Sequence, residues 1–204
     1  MVWATRNMKK VFLVTPEFLT IRGMMPNGTS IDVVMCRKDG PSFDGRHPDH
    51  VEPGSLLDDL ARRDFTVNAM AREVDPETLE PIGEIIDPFG GRDDLLTRTL
   101  RCVGDTGERL SEDGLRILRA ARFCITKNLG PSNDLGFALK APLQWRFMTA
   151  TVSENRIREE MQKMFKNDAI TAIRFLTTSC AHQALDAMLG EDSNIWLKPT
   201  MEKK

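Results

Sequence analysis

The sequence predicts an α+β fold, in which a small, mostly antiparallel sheet with helices precedes an all-helical part. Three segments rich in Val, Ile, Phe and Thr predict strands: residues 10–14, 18–22 and 30–37. Residues 26–28 (Pro-Asn-Gly) predict the turn between the second and third strands. After Phe123, four stretches with helical periodicity follow: about 137–148, 154–166, 168–177 and 182–189. This change of character predicts a boundary near residue 105.

Length and composition exclude few functions. The 204 residues suffice for one sizeable domain or two small ones. The net charge of -2 excludes no partner, because an RNA-binding protein needs only a local basic face. The four cysteines are scattered without a Cys-x-x-Cys pair, which predicts reduced thiols and no zinc site. No run of about 18 apolar residues predicts a transmembrane helix. We therefore expect a cytoplasmic protein without membrane partners, and a mitochondrial location stays open.

Polar residues interrupt the strand region at two places. Asp32 alternates with apolar neighbours inside the third predicted strand, so its carboxylate is expected on one sheet face. It is either an exposed edge-strand residue or a metal ligand. Residues 38–54 form a polar loop rich in Pro and Gly that contains Arg46. Such a loop is either a mobile lid beside a site or only a connection.

Three consecutive charged residues, 62–64 (Arg-Arg-Asp), form a corner between two predicted elements. Residues 55–61 before them predict a short helix, and the apolar alternation over 65–69 predicts a strand. Another strand is predicted at 85–87 and a short helix at 93–96. Three charges at such a corner are common in ligand sites, although a structural ion pair explains them equally well.

A helix with an unusual polar pattern is predicted over residues 111–123, with Ser111 as its N-cap and acidic residues in its first turn. Its predicted buried side consists of Leu115, Leu118 and Phe123. Its polar residues recur at every third position: Asp113, Arg116, Arg119 and Arg122. A step of three is about 300° on a helix, so these side chains wind slowly around it. Asp113 and Arg116 are still one turn apart, and this pair can hold an Arg fork beside a base edge. The alternative is a solvated face with ion pairs.

Four motifs in one order resemble those of the tRNA nucleotidyltransferases (CCA-adding enzymes) and the bacterial poly(A) polymerases. They are residues 59–71 (DLARRDFTVNAMA), 86–95 (IDPFGGRDDL), 112–116 (EDGLR) and 153–160 (SENRIREE). Residues 44–48 (DGRHP) resemble the flexible loop of that family. Asn155 stands where the family usually has Glu. The resemblance covers about residues 11–170.

The resemblance implies a domain organisation and roles for individual residues. It implies a partial nucleotidyltransferase head (1–104), a helical neck that binds nucleotide and RNA (105–166) and the start of a helical body (167–204). Arg63 and Asp64 resemble the pair that holds the ribose and phosphates of the incoming nucleotide. Six further residues complete the implied site: Asp113 and Arg116 as base readers of CTP or ATP, Arg119 and Arg122 as nucleotide-binding arginines, Arg46 in the flexible loop, and Asp32 as a catalytic carboxylate.

The family's reaction transfers CMP or AMP from CTP or ATP to an RNA 3′-hydroxyl with Mg²⁺. In that family, two metal-binding carboxylates come from an Asp-x-Asp motif. The 204 residues of this sequence contain no Asp-x-Asp motif. Asp32 resembles the third carboxylate and is the single metal candidate. We therefore expect a member truncated at both ends, whose partners are the tRNA 3′ end, the nucleotides, and a missing N-terminal fragment or a second copy of the chain. CCA addition, poly(A) addition, and an inactive nucleotide- or RNA-binding remnant or part of a split enzyme all stay open.

Overall fold

The computed structural model describes residues 2–16, 20–39 and 51–178. The chain divides into two compact units, the first comprising Met1–Pro41 and Pro48–Arg62, the second Ser42–His47 and Arg63–Lys204. Within the described residues, no helix combines the length and the apolar character that crossing a membrane requires. The predicted domain boundary between residues 104 and 105 stays a prediction.

The first unit contains a three-stranded antiparallel sheet and a small two-stranded one. Its elements are α1 (Val2–Asn7), β1 (Lys10–Thr15), β2 (Thr20–Met24), β3 (Ser30–Val34), β4 (Arg37–Asp39), β5 (Val51–Pro53) and α2 (Leu56–Ala61). The larger sheet has the order β1-β2-β3, and β4 pairs with β5. This confirms the predicted strands in outline, but the third is shorter than predicted, because the chain leaves the sheet after Val34 and Arg37 starts a new ladder.

The second unit is mainly helical. Its elements are β6 (Ala71–Val74), β7 (Pro81–Ile86), α3 (Gly91–Leu96), β8 (Thr99–Leu100), α4 (Thr106–Glu112), α5 (Leu115–Lys127), β9 (Gly130–Pro131), α6 (Asn133–Leu139), α7 (Pro142–Thr151) and α8 (Glu154–Thr178). Strands β6 and β7 form an antiparallel hairpin, whereas β8 and β9 pair in parallel. These elements, together with the antiparallel sheets of the first unit, confirm the predicted α+β class.

The strand predicted over residues 65–69 is wrong. Phe65 forms a single bridge with Cys102, and Thr66–Asn68 is a short 3₁₀ helix. The amide of Asn68 donates to the carbonyl of Phe65, and that of Ala69 donates to the carbonyl of Thr66, at 2.9 Å each. The alternating pattern misled the prediction because Phe65 and Ala69 are both fully buried, but only Phe65 has an extended backbone.

The helix predicted over residues 111–123 is in fact two helices. Helix α4 ends at Glu112, Asp113 is extended (φ -147°, ψ 109°), and α5 starts at Leu115. Ser111 is therefore not an N-cap; Asp105 caps α4 instead, accepting from the Glu108 amide at 2.9 Å. Gly114 lies at the break, where a Cβ atom would be 2.7 Å from Thr151 Oγ1.

Of the other helix predictions, one needs correction and two are confirmed. The helix predicted over 137–148 is interrupted at residues 140–141, because Pro142 cannot continue α6 and starts α7 instead. The helices predicted over 154–166 and 168–177 are confirmed, because α8 is kinked at Asp168 (φ -156°, ψ 97°), whose carboxylate accepts from the Thr171 amide at 3.0 Å and caps the second helical part. The helix predicted over 182–189 lies outside the described residues.

Helix α5 supplies the centre of the hydrophobic core of the second unit. Leu115, Leu118 and Phe123 are buried, as predicted. Trp145 is also fully buried, and its indole N–H donates to the Leu139 carbonyl at 3.0 Å. Because core residues pack against α5 on several sides, its backbone is rigid, and this fixes the Cα positions of its polar residues.

The described cysteines, Cys36, Cys102 and Cys124, are free thiols. Burial raises the pKa of Cys102 to about 11 and that of Cys124 to about 12. Both thiols are therefore protonated at neutral pH and act as small apolar side chains.

Candidate nucleotide-binding site

Asp64 and Arg119 form a buried ion pair that connects the charged corner to helix α5. Arg119 Nε donates to Asp64 Oδ2 at 2.8 Å, and Arg119 Nη2 donates to the same oxygen. Oδ1 accepts from the Phe65 amide at 2.9 Å and from Asn68 Nδ2 at 3.2 Å. Burial alone would raise the pKa of Asp64, but the Arg119 charge and these hydrogen bonds lower it below its ordinary value. Asp64 is therefore an ionised anchor, which fixes the orientation of the Arg119 guanidinium.

Residues 101–103 hydrogen-bond to the backbone that follows the charged corner. The Val103 amide donates to the Asp64 carbonyl at 3.1 Å, and the Thr66 amide donates to the Arg101 carbonyl at 3.0 Å. The Thr66 hydroxyl donates to buried Asp94 at 2.7 Å, and Arg101 Nε lies 3.2 Å from both oxygens of that carboxylate. The corner is thus tied to helix α3, which contains Asp94.

The Asp-Pro-Phe-Gly-Gly turn is built around the carboxylate of Asp87. This carboxylate accepts from the Gly91 amide at 2.8 Å and from the Arg92 amide at 2.9 Å. Gly90 has a left-handed φ of 73°, and a Cβ atom on Gly91 would lie 2.3 Å from the Thr66 carbonyl oxygen. The two glycines therefore allow α3 to approach the segment after Asp64 closely.

Arg122 connects α5 to α8 through Glu160. Arg122 Nε donates to Glu160 Oε2, Lys163 Nζ donates to Oε1 at 2.8 Å, and Arg119 Nη1 lies 4.0 Å from Oε1. Burial would raise the pKa of Glu160, but these cations lower it overall. The Arg122 guanidinium also lies 4.4 Å from the centre of the Phe123 ring. Arg122 is thus ion-paired and stacked, and only 14% of its side chain is exposed.

Asp113 and Arg116, the predicted base readers, are each held by other partners. Asp113 accepts from Arg156 of α8, at 3.3 Å from Nη1 and 2.8 Å from Nη2. Arg116 Nη1 donates to Glu112 and, at 2.8 Å, to the Arg109 carbonyl. Asp113 precedes α5 in an extended conformation, so the i,i+3 contact between the two residues is the hydrogen bond from the Arg116 amide to the Asp113 carbonyl at 3.0 Å. The Asp113 side chain remains 20% exposed and that of Arg116 15%.

The three charges at residues 62–64 have different partners. Arg62 pairs with Asp59 at 2.6 Å within the first unit. Arg63 is exposed and donates to the Asn68 carbonyl at 3.1 Å. Asp64 pairs with Arg119, as described above. Of the predicted nucleotide-binding residues, the structure therefore directly joins Asp64 and Arg119.

Asp32, the metal candidate, lies on β3 opposite Arg22 of β2. Both of its carboxylate oxygens accept from Arg22, at 2.6 Å from Nε and 2.8 Å from Nη2. Hydrogen bonds from Arg22 and its charge lower the pKa of Asp32. Among the residues that the structure describes, no three His, Cys, Asp or Glu side chains are grouped to hold a metal ion. The described residues therefore do not fit the pair of Mg²⁺ ions that the resemblance implies. Arg46, the predicted flexible-loop residue, lies outside the described residues.

The sequence analysis assigned no role to Arg109, Asp94 or Arg156, which orient the candidate site residues. Asp94 and Arg156 lie inside two of the four motifs, so the motifs themselves were the available signal. Arg109 Nε donates to the Val103 carbonyl at 3.0 Å, and its Nη1 donates to Glu112 at 2.8 Å. No pattern in the sequence marks Arg109 for this role.

Comparisons with known proteins agree with this architecture. The family of the Poly A polymerase head domain matches residues 4–101. The CCA-adding enzyme of Geobacillus stearothermophilus is 34% identical over 177 residues, which are 83% of this chain and 40% of that enzyme. The crystal structure of the Bacillus stearothermophilus CCA-adding enzyme in complex with CTP has a TM-score of 0.66 and 32% identity, covering 84% of this chain and 39% of that one. A tRNA nucleotidyltransferase complexed with a primer tRNA and an incoming ATP analog has a TM-score of 0.65 and 27% identity, covering 88% of this chain and 47% of that one.

The fold and these matches are those of a nucleotidyltransferase head domain followed by helices. The chain belongs to the family of tRNA nucleotidyltransferases (CCA-adding enzymes) and bacterial poly(A) polymerases, which confirms the resemblance seen in its motifs. It spans about 40% of the length of the first relatives that it matches.

Proposed function

We propose that this chain selects CTP and ATP for an RNA 3′-end nucleotidyltransferase, which transfers CMP or AMP to the 3′ end of a tRNA in the cytoplasm. The observation that carries the proposal is the arginine–carboxylate network around α5. It holds a partly exposed acceptor, Asp113, and partly exposed guanidinium groups on one rigid helical frame.

The chemistry of the network suits a cytosine or adenine nucleotide. A carboxylate accepts hydrogen bonds, and a guanidinium donates them in a planar fork. The exocyclic amine of cytosine or adenine can donate to Asp113, while Arg116 faces the acceptors of the base. Arg63 is exposed, and 31% of the Arg119 side chain is exposed, so both can contact ribose or phosphate oxygens.

The ligands of two similar structures support this choice of nucleotides. One contains CTP, and the other contains a primer tRNA and an ATP analog. Because the chain spans less than half of each, binding of nucleotide and tRNA by this chain is part of the proposal.

Equilibrium binding of the four ribonucleotides tests the proposal. Uracil and guanine present a carbonyl where cytosine and adenine present an amine, so Asp113 would face an acceptor. An unpaired buried polar group costs about 1–3 kcal/mol, which corresponds to a preference of roughly five- to hundredfold for CTP and ATP. Asp113→Ala should remove this preference, whereas Arg63→Ala should weaken the binding of all four nucleotides alike. Equal affinities in the wild-type chain would contradict the proposal.

A second candidate function is nucleotide or RNA binding without catalysis by this chain alone. It is favoured by the ion pair that occupies both oxygens of Asp32 and by the lack of an Asp-x-Asp motif in the 204 residues. We expect no incorporation of labelled CTP into tRNA lacking its CCA end when Mg²⁺ is supplied, since one carboxylate holds two Mg²⁺ ions poorly. The Geobacillus stearothermophilus enzyme is the positive control, and robust incorporation by this chain would exclude the second candidate.

A further inference from the structure

We infer that Arg156 sets the base selectivity of this site, because it orients the Asp113 carboxylate and leaves it one acceptor position. The inference rests on the proposed function, since it requires a nucleotide base beside Asp113. Arg156 acts through Asp113 and is therefore a positioning residue.

Counting the hydrogen bonds of Asp113 leads to this inference. A carboxylate has about four acceptor positions, two on each oxygen. Oδ1 accepts from the Leu115 amide at 3.0 Å and from Arg156 Nη1 at 3.3 Å. Oδ2 accepts from Arg156 Nη2 at 2.8 Å. Both positions on Oδ1 are thus occupied, and one position on Oδ2 remains.

A single remaining acceptor has a direct consequence for base recognition. It can accept one hydrogen from the amine of cytosine or adenine, and it repels the carbonyl oxygen of uracil or guanine. The carboxylate cannot rotate to present another edge, because the planar guanidinium engages both of its oxygens at once. A lysine at position 156 would keep the charge but not this two-point contact.

The backbone around Arg156 is itself well anchored. The amides of Arg156 and Ile157 donate to the Ser153 carbonyl at 3.0 and 3.2 Å, and the Ile157 side chain is buried. Glu160, one turn further along α8, holds Arg122 of α5. The orientation of Asp113 is therefore set by the packing of α8 against α5, and Arg156 transmits it.

The test measures the affinities of CTP, ATP, UTP and GTP for the wild-type chain, Arg156→Lys and Arg158→Lys. The control residue Arg158 lies on the same helix, where it donates to the Asn155 side chain. We expect Arg156→Lys to reduce the preference for CTP and ATP by about fivefold or more, because Asp113 gains freedom to rotate. Arg158→Lys should leave the preference unchanged. In an Asp113→Ala background, Arg156→Lys should have no effect on the preference.

The possible outcomes separate this inference from the proposed function. A wild-type chain without any preference would contradict the proposed function itself. A wild-type chain with a preference that Arg156→Lys retains would overturn the inference alone. An equal loss of affinity for all four nucleotides would also overturn it, because that result indicates only a structural role. If circular dichroism shows that Arg156→Lys does not fold, Arg156→Gln replaces it, since the glutamine amide can donate to only one carboxylate oxygen. The results that support or overturn the inference are then the same as for Arg156→Lys.

Discussion

Replacing Asp64 with Asn tests whether the ion pair with Arg119 stabilises the second unit. The substitution keeps the shape of the side chain but removes the negative charge from a group that is 9% exposed. Arg119 would then keep a partly buried positive charge whose remaining carboxylate neighbour is Glu160, with Oε1 at 4.0 Å from Nη1. Removing one member of a buried ion pair costs about 3–5 kcal/mol.

The lower end of this range applies here, because 31% of the Arg119 side chain is exposed and water screens its charge. A loss of about 3 kcal/mol lowers the melting temperature by roughly 6–12 °C in a chain of this size. Circular dichroism melts at neutral pH measure this shift. Asp32→Asn is the matched control, since Asp32 forms a similar pair with Arg22 on an exposed sheet face (side chains 42% and 56% exposed). It should cost at most about 1 kcal/mol.

A double-mutant cycle then assigns the loss to the pair. Asp64→Asn, Arg119→Gln and the double variant should give a coupling free energy of about 1–3 kcal/mol. A melting temperature of Asp64→Asn equal to that of the wild type, or a cycle in which the two losses simply add, would show that this ion pair does not stabilise the fold.

Two further predictions concern pH and packing. The pKa of Glu160 is lowered in the folded chain, so its stabilising effect is present above the unfolded value of about 4.3 and is lost as the pH falls through the folded value. The melting temperature should therefore fall as the pH drops below about 5, and less steeply in Glu160→Gln; parallel curves would refute this. Gly91→Ala should destabilise the chain by more than about 2 kcal/mol, because its Cβ would lie 2.3 Å from the Thr66 carbonyl oxygen. The control Gly136→Ala, in a helix with its nearest atom at 3.8 Å, should be neutral or stabilising in urea unfolding, and equal effects would contradict the packing argument.

The parts of the fold that were predicted correctly are those with local causes. Strands β1 to β3 follow from β-branched and aromatic runs separated by a Pro-Asn-Gly turn. Helix α2 follows from Ser55, whose hydroxyl accepts from the Asp58 amide in a capping box. These signals lie within a few residues of the elements that they specify, so the sequence suffices to predict them.

The elements that were predicted wrongly depend on residues far away in the chain. Helices α4 and α5 are separate because Gly114 packs against Met148 and Thr151 of α7. The segment after Asp64 forms only the antiparallel bridge between Phe65 and Cys102, and it then turns into a 3₁₀ helix whose Thr66 hydroxyl donates to Asp94. The periodicity of apolar residues contains no information about such distant contacts. Where these contacts form, they override the helix or strand propensity of the local sequence.

The candidate site shows the same division. The resemblance implied Asp64, Asp113 and Arg119 as site residues, and both the spacing and the resemblance paired Asp113 with Arg116. The observed ion pairs join Asp113 to Arg156 and Asp64 to Arg119, which are 43 and 55 residues apart. Which carboxylate meets which arginine is decided by the packing of α5 against its neighbours.

The spacing of the arginines on α5 nevertheless has a structural explanation. A step of three turns each successive side chain by about 60° backwards around the helix, so Arg116, Arg119 and Arg122 face different directions. Each meets a carboxylate from a different part of the second unit: Glu112 of α4, Asp64 of the charged corner and Glu160 of α8. A straight polar row could contact only one such element. The three arginine side chains are only 15%, 31% and 14% exposed, so carboxylate partners on three sides of the helix, more than contact with solvent, account for the winding pattern.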